Sequence, residues 1–330
     1  MAEQDKFHSE MKEANVEALW EIWQDRYDRT PEKPSYWPWS GLEPLMRSAA
    51  DLPIDGGAER RVLCLRNPIG AKKYEGASPN FYVNVQALNP GEEAPVHRHS
   101  MGAMRFILKG GAVTTVDGKA CQMEEGDLVL TPGWTWHEHN HDGSELAIWA
   151  DILDAPLHRH FDTGIIEPGP AKSLPDWLPD EAFAIPGFTP VSSMAEPDHS
   201  TLFRYAWSDA KKALKNSPVA KDGSRLLRYT DPVSGGSVMP LLDCFLMALE
   251  KDKKTSGVRS TANSVAIVAE GSGSTHVSDE IVTWSKNDIF SLPHGNWISH
   301  QAAEDNTKLF IISDHQVLDR LGLLKEEGKT

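Results

Sequence analysis

The sequence predicts a mainly β protein: two jelly-roll β-barrels in one chain, preceded by an N-terminal helical segment and joined by a region with a short connecting helix. Three observations carry this expectation. Short apolar runs such as RVLCLRNP, FYVNVQAL and PLLDCFLMALE are bounded by Gly, Pro, Asn and Asp, the punctuation of strands in an all-β domain. His97, His99, His137, His139 and His141 fall in two strand-like stretches, as if gathered round one pocket, and a jelly roll gathers strands in that way. The second half also repeats the first. One offset of 161 pairs Gly110 with Gly271, Asp127 with Asp288, Pro132 with Pro293 and Trp136 with Trp297.

Length and composition agree. A chain of 330 residues can bury a sizeable core and divides naturally into two domains. A net charge of −15 excludes a nucleic-acid binder or a basic membrane-surface protein, and it means that an anionic substrate needs a local cationic site. Cys64, Cys121 and Cys244 are too few and too scattered for a disulfide framework. The charged start, MAEQDKFHSEMKEANVEALW, has no apolar signal core, and no run reaches the length of a membrane span. Together these imply a reducing, cytoplasmic location.

In chain order, Val16, Leu19, Trp20 and Trp23 form an i, i+3, i+4, i+7 stripe that predicts a helix from about Phe7 to Arg26, ended by Pro31 and Pro34. Tyr36, Trp37, Pro38 and Trp39 read as an extended segment that covers a barrel or a subunit interface, in preference to a substrate lid. The helical and extended N-terminal segment is thus placed at 1–60 and the first barrel at 61–155. A proline-rich connecting region follows at 156–225, with a helix at Asp209–Lys215 capped by Ser208, and the second barrel occupies 226–330.

The chemistry lies in the first barrel. In a strand, residues i and i+2 face one side, so His97 and His99 aim two imidazoles into one cavity and His137 completes one face of a metal. Gly91 and the HxH pair before Gly110, then Gly126, Pro132 and His137 at fixed spacings, resemble the two cupin motifs, and the internal repeat extends that resemblance to a bicupin. At the same offset the second barrel carries Val258, Ser260 and Ile298, which cannot replace the ligand set. His276, His294 and His300 remain as surface or hydrogen-bonded histidines. No carboxylate follows the HxH pair, so a divalent ion would keep its double charge and about three open positions. Such a site suits a chelating anion more than a closed structural zinc.

Arg105 alternates in phase with His97 and His99; it would face either a substrate carboxylate or an acid such as Asp151. His139 shares the phase of His137 and could bond a ligand oxygen or move a proton, while Asp151 would orient one of these groups. His141, near the turn HDG, is expected to be exposed, and His158 and His160 to be linker residues.

The chain resembles gentisate 1,2-dioxygenase and its relatives acting on salicylate and 1-hydroxy-2-naphthoate. GEEAPVHRHSMGAMRF, VDG, GDLVLTPGWTWHEH, IEPGP, DPVSGG and DHQVLDRLGLLKEE carry the resemblance, from about Asp25 to the C-terminus. FILKGGA departs by one residue in a hairpin turn. The resemblance implies an extradiol-type ring-cleaving dioxygenase with one Fe(II) per chain, held by His97, His99 and His137. It matches Arg105 and His139 to groups handling the substrate carboxylate and hydroxyl, Asp151 to a supporting acid, and Arg61 (with Arg66 as competitor) and Tyr82 to further pocket residues. The implied substrates are O2 and a small aromatic hydroxy-carboxylate, gentisate first, 1-hydroxy-2-naphthoate or salicylate next; the implied assembly is a homotetramer. A non-catalytic binding bicupin is the reading outside enzymes, and the intact histidine set with Arg105 argues against it.

Overall fold

The computed structural model describes residues 2–27, 30–53, 61–68, 74–169, 184–185, 188 and 200–329. Within the proline-rich connecting region, residues 170–183, 186–187 and 189–199 lie outside the described residues. The chain forms two compact units, Met1–Pro31 and Glu32–Thr330.

In the small unit the single expected helix is two, Ala2–Glu13 and Leu19–Tyr27. The break is at Asn15, which takes the left-handed conformation (φ 52°) that Asn tolerates at a helix end. The predicted stripe is therefore not continuous, and Val16, Leu19, Trp20 and Trp23 are all exposed. Phe7 stacks on Trp20 across the pair, with ring centroids 6.4 Å apart.

The large unit holds the two barrels, each made of a six-stranded and a five-stranded antiparallel sheet. In the first barrel the six-stranded sheet runs Arg204–Tyr205, Leu128–Thr131, Ala103–Lys109, Ala147–Leu153, Tyr82–Leu88, Arg61–Cys64. The facing sheet runs Ile166–Pro168, Glu93–His99, His137–Asn140, Val113–Val116, Lys119–Gln122. The second barrel repeats both strand orders, so the mainly β bicupin expectation holds. Turn glycines recur with the repeat: Gly110 and Gly271 sit at φ 66° and 84°, where a Cβ would meet Leu146 O and the Thr307 side chain.

Alternation sorts the strand side chains into three cores, one between the barrels and one inside each. Val83, Val85, Met104, Phe106, Ile148 and Ala150 face away from the first barrel's interior and meet Leu246, Val265, Ile267, Phe310 and Ile312 of the second. Phe106 and Phe310 stack at 4.3 Å at the centre of this seam. Phe310→Ala is expected to cost about 3–5 kcal/mol through the cavity it leaves, read as a lowered urea midpoint; a loss below about 1 kcal/mol would show that the seam collapses freely. The opposite faces line the barrel interiors, with Leu88, Ile107, Val129 and Trp149 in the first and Met247, Val268, Trp284 and Phe290 in the second.

The Tyr36–Trp39 stretch covers a barrel, as expected, and the barrel is the second one. Tyr36 and Trp37 pair with Phe290 and Ile289 there. The helix that follows, Trp39–Ala50, packs instead on strands of the first barrel, burying Leu42, Met46 and Ala50. The segment before the second barrel mirrors this. Arg204 and Tyr205 pair with Val129 and Leu128 of the first barrel, and the helix Trp207–Asn216 packs on the second. Each crossing strand is tied down by the repeated aspartate: Trp39 N donates to Asp288 Oδ1 and Trp207 N to Asp127 Oδ1, at 2.7 and 2.8 Å. Ser208 lies inside the Trp207–Asn216 helix; Ala206 is the cap residue and makes no side-chain cap bond. His158 and His160 belong to a one-turn helix, Ala155–His160, rather than to a linker. No described helix is long and apolar enough to cross a membrane.

Candidate metal centre and its cavity

His97 and His99 end the strand Glu93–His99, and His137 opens His137–Asn140 beside it. Their register slips by one residue between Ala94 and His97, a bulge of the kind that re-aims side chains next to functional sites. It brings His97 directly opposite His137. The three imidazoles are buried and each offers a ligand atom within 4.8 Å of the others.

The backbone sets the tautomers. His97 Nδ1 bonds Pro95 O at 2.7 Å, His99 Nδ1 bonds Met101 O at 2.6 Å and His137 Nδ1 bonds Thr135 O at 3.0 Å. A carbonyl can only accept, so each Nδ1 carries the proton and each Nε2 presents a lone pair. His137 Nε2 is buried with no hydrogen-bond partner. Burial first, then the charge of Arg105, holds the His137 pKa well below the usual histidine value, so the ring stays neutral. Three imidazoles whose Nε2 atoms converge fit a divalent transition metal. Among the described residues no carboxylate joins the cluster.

Arg105 lies on the next sheet, on Ala103–Lys109, with its side chain 1% exposed. It meets Asp151 across the strand pair, Nε to Oδ1 at 3.2 Å, and donates to Thr131 Oγ1 at 2.6 Å. The expected pairing with Asp151 therefore exists, and the guanidinium's charge still reaches the metal cluster through its effect on His137. His139 is fully buried, its ring 5.9 Å from that of His137, with Nδ1 at 2.8 Å from Thr114 Oγ1.

Tyr82 shares the inward face of its strand with Asn84 and Gln86, sits partly exposed, and lies 3.3 Å from the Arg159 guanidinium. Arg61 needs correction. It pairs with Ala87, which faces the seam, so it lies on the side of the sheet opposite Gln86. Its guanidinium goes to Glu92 at 2.6 Å and to the carbonyl of Leu52. Arg66 is exposed beyond the strand end. His141 is buried rather than exposed, because its Nε2 anchors the turn on Glu145 O at 2.6 Å.

The sequence reading missed Gln86. It is fully buried beside Trp149 in the register, and neither atom of its amide has a hydrogen-bond partner, nor does the Trp149 indole N–H. Buried amides are rarely left so, and these two aim at the barrel interior that holds His139, whose ring is 5.6 Å from Trp149. The signal was the alternation in YVNVQAL, in which Asn84 and Gln86 mark a polar face.

The second barrel has a cavity of about 270 Å³ at the matching place, lined by Val258, Ser260 and Ile298 with Phe245, Met247 and Leu292. Val258 and Ile298 stand there in place of His97 and His137, and Ser260 in place of His99; Ser264, Asn296, Ser313, His315 and Glu326 also line it.

Residues 84–153 match the family model for the cupin domain. The chain is 32% identical to gentisate 1,2 dioxygenase 1 of Aquipseudomonas alcaligenes over 336 residues, covering 98% of this chain and 96% of the relative. It is 32% identical to 5-aminosalicylate 1,2-dioxygenase of Comamonas sp, covering 98% and 90%. Among solved structures, salicylate 1,2-dioxygenase of Pseudoaminobacter salicylatoxidans in its adduct with gentisate superposes with a TM-score of 0.91 at 30% identity, covering all of this chain and 94% of that one.

Proposed function

The chain belongs to the gentisate 1,2-dioxygenase family of aromatic ring-cleaving dioxygenases, and from that premise we propose that it is an Fe(II) enzyme that opens gentisate with O2 to give maleylpyruvate. The observation that carries the reading is the convergence of three buried imidazoles, with a buried arginine whose charge reaches His137. Fe(II), when bound by His97, His99 and His137, supplies a chelation point for the carboxylate and adjacent hydroxyl oxygen of the substrate and activates O2 for cleavage between the carbons bearing them.

The chain's own groups do the rest. Arg105 holds the substrate carboxylate and offsets its charge in a dry site. Asp151 and Thr131 fix the guanidinium so that it is already oriented when substrate arrives. His139 takes the proton of the hydroxyl. Gln86 and the Trp149 indole meet polar substituents on the ring, and Tyr82 stands at the rim. The barrel wall around Trp149 and Ile107 excludes water from the ring. The active protein is a cytoplasmic homotetramer, which light scattering would check.

The test is anaerobic loading with Fe(II), followed by O2 uptake with a panel of hydroxybenzoates and hydroxynaphthoates. Gentisate is expected to give the highest kcat/KM. A higher value with salicylate or 1-hydroxy-2-naphthoate would reassign the substrate, and no uptake with any of them would end the catalytic reading. Metal analysis on the same preparation is expected to give one ion per chain, because Val258, Ser260 and Ile298 leave the second barrel without the counterpart of the three-histidine set, and among the described residues the one such cluster is in the first barrel. Two tightly held ions per chain would contradict this.

A further inference from the structure

The pair formed by His139 and Thr114 recurs in the barrel that has no metal ligands. At the offset of 161, Thr114 corresponds to Thr275 and His139 to His300. Both pairs are cross-strand neighbours, both are buried, and both have Oγ1 to Nδ1 at 2.8 Å. What differs is the third member. Thr114 Oγ1 also lies 3.1 Å from Met123 Sδ, whereas Thr275 Oγ1 lies 2.9 Å from the indole nitrogen of Trp284. Met123 and Trp284 are again one offset apart.

A thioether only accepts and an indole N–H only donates. Beside Met123, the Thr114 hydroxyl hydrogen has sulfur to donate to, and two bonds form only if His139 donates its Nδ1–H to Oγ1. Beside Trp284, Thr275 Oγ1 already accepts from the indole. Its own hydrogen can donate to Nδ1 of His300 only when that nitrogen is unprotonated, and this arrangement leaves neither the indole N–H nor the hydroxyl hydrogen unpaired. Buried groups settle on the arrangement that pairs them most fully.

We infer that Met123, acting through Thr114, holds His139 as the tautomer with its lone pair on Nε2, while Trp284 holds His300 as the opposite tautomer. Met123 and Thr114 are thus positioning residues for His139. The consequence for catalysis rests on the function proposed above. With the lone pair on Nε2, His139 accepts the hydroxyl proton of the substrate: the O–H bond breaks, an N–H bond forms, and the electron pair stays on the substrate oxygen. The resulting imidazolium keeps its Nδ1–H bond to Thr114. In the opposite tautomer Nε2 already carries a hydrogen and cannot accept.

The test uses full-length protein labelled with 15N at histidine and loaded with diamagnetic Zn(II). Imidazole 15N shifts separate protonated from unprotonated ring nitrogens, and His139→Gln and His300→Gln assign the two rings. The expected result is an unprotonated Nε2 in His139 and an unprotonated Nδ1 in His300. Met123→Leu, close in volume, should move His139 to the opposite tautomer. In the Fe(II) protein the same change should lower kcat by about tenfold or more, part of the roughly 10²–10⁴ that a placed base supplies, with KM little changed. Thr114→Ser should restore both readouts where Thr114→Val loses them, and Thr275→Val should leave kcat unchanged. A protonated Nε2 on His139 in the unmodified chain, or a Met123→Leu spectrum identical to it, would overturn the inference. Expected shifts in a protein whose Fe(II) form consumes no O2 with any panel substrate would instead overturn the proposed function and leave the tautomers assigned.

Discussion

Replacing His97, His99 or His137 by alanine is expected to abolish O2 uptake and to strip the metal, with the fold retained. Each ring donates Nδ1–H to a neighbouring backbone carbonyl, so Nε2 is the atom it turns toward the cluster. Losing an outer-shell partner of a metal ligand typically costs roughly ten- to hundredfold in affinity, and losing one of three ligands should cost more. The fold should survive because the two barrels are held by the seam around Phe106 and Phe310, outside the metal cavity. Metal content, far-UV circular dichroism and O2 uptake on one preparation decide the matter. Full metal occupancy in any of the three variants would remove that histidine from the ligand set.

Arg105→Lys is expected to keep the metal and lower kcat/KM for carboxylated substrates by roughly ten- to hundredfold. Lysine keeps the charge but loses the planar fork that can serve Asp151, Thr131 and a carboxylate at once. One lost charge-assisted contact in a dry site is worth on the order of 1.5–3 kcal/mol. The structure sharpens the competing possibility, since the ion pair with Asp151 is present. If Arg105 served only that pair, the variant would show a lowered Tm and near-normal kcat/KM. Measuring Tm, metal content and kcat/KM together separates the two outcomes.

The metal cluster was legible because its geometry is local. An HxH on a strand fixes two ligands by period alone, and the framed glycines and proline announce the turns that bring His137 alongside. The bicupin was legible because a single offset aligned landmarks across the chain. What stayed hidden depends on which face of a strand meets what. Gln86 sits in an alternating YVNVQAL, and such alternation reads equally as a solvent face or as a pocket face. Arg61 looked like a pocket residue until its pairing with Ala87 fixed its side. His141 looked exposed beside a turn, yet it is the turn's buried anchor. The strand Tyr36–Trp37 has two residues, and its partner lies some 250 positions away, beyond any local pattern.

That crossing of strands has a historical consequence. Each half sends its leading strand to the other barrel and keeps its following helix at home. The arrangement is what a twofold dimer that had traded arms would become if its two genes were joined end to end. Once joined, the halves are hostage to each other: a stretch coding for one barrel alone would lack a strand of its own sheet and would bare its half of the seam. Fusion of that kind frees one copy from chemistry without freeing it from duty. In the joined chain the barrel with Val258, Ser260 and Ile298 stands without the histidine set, while Asp288 and the pairing of His300 with Thr275 keep contacts that the first barrel also has.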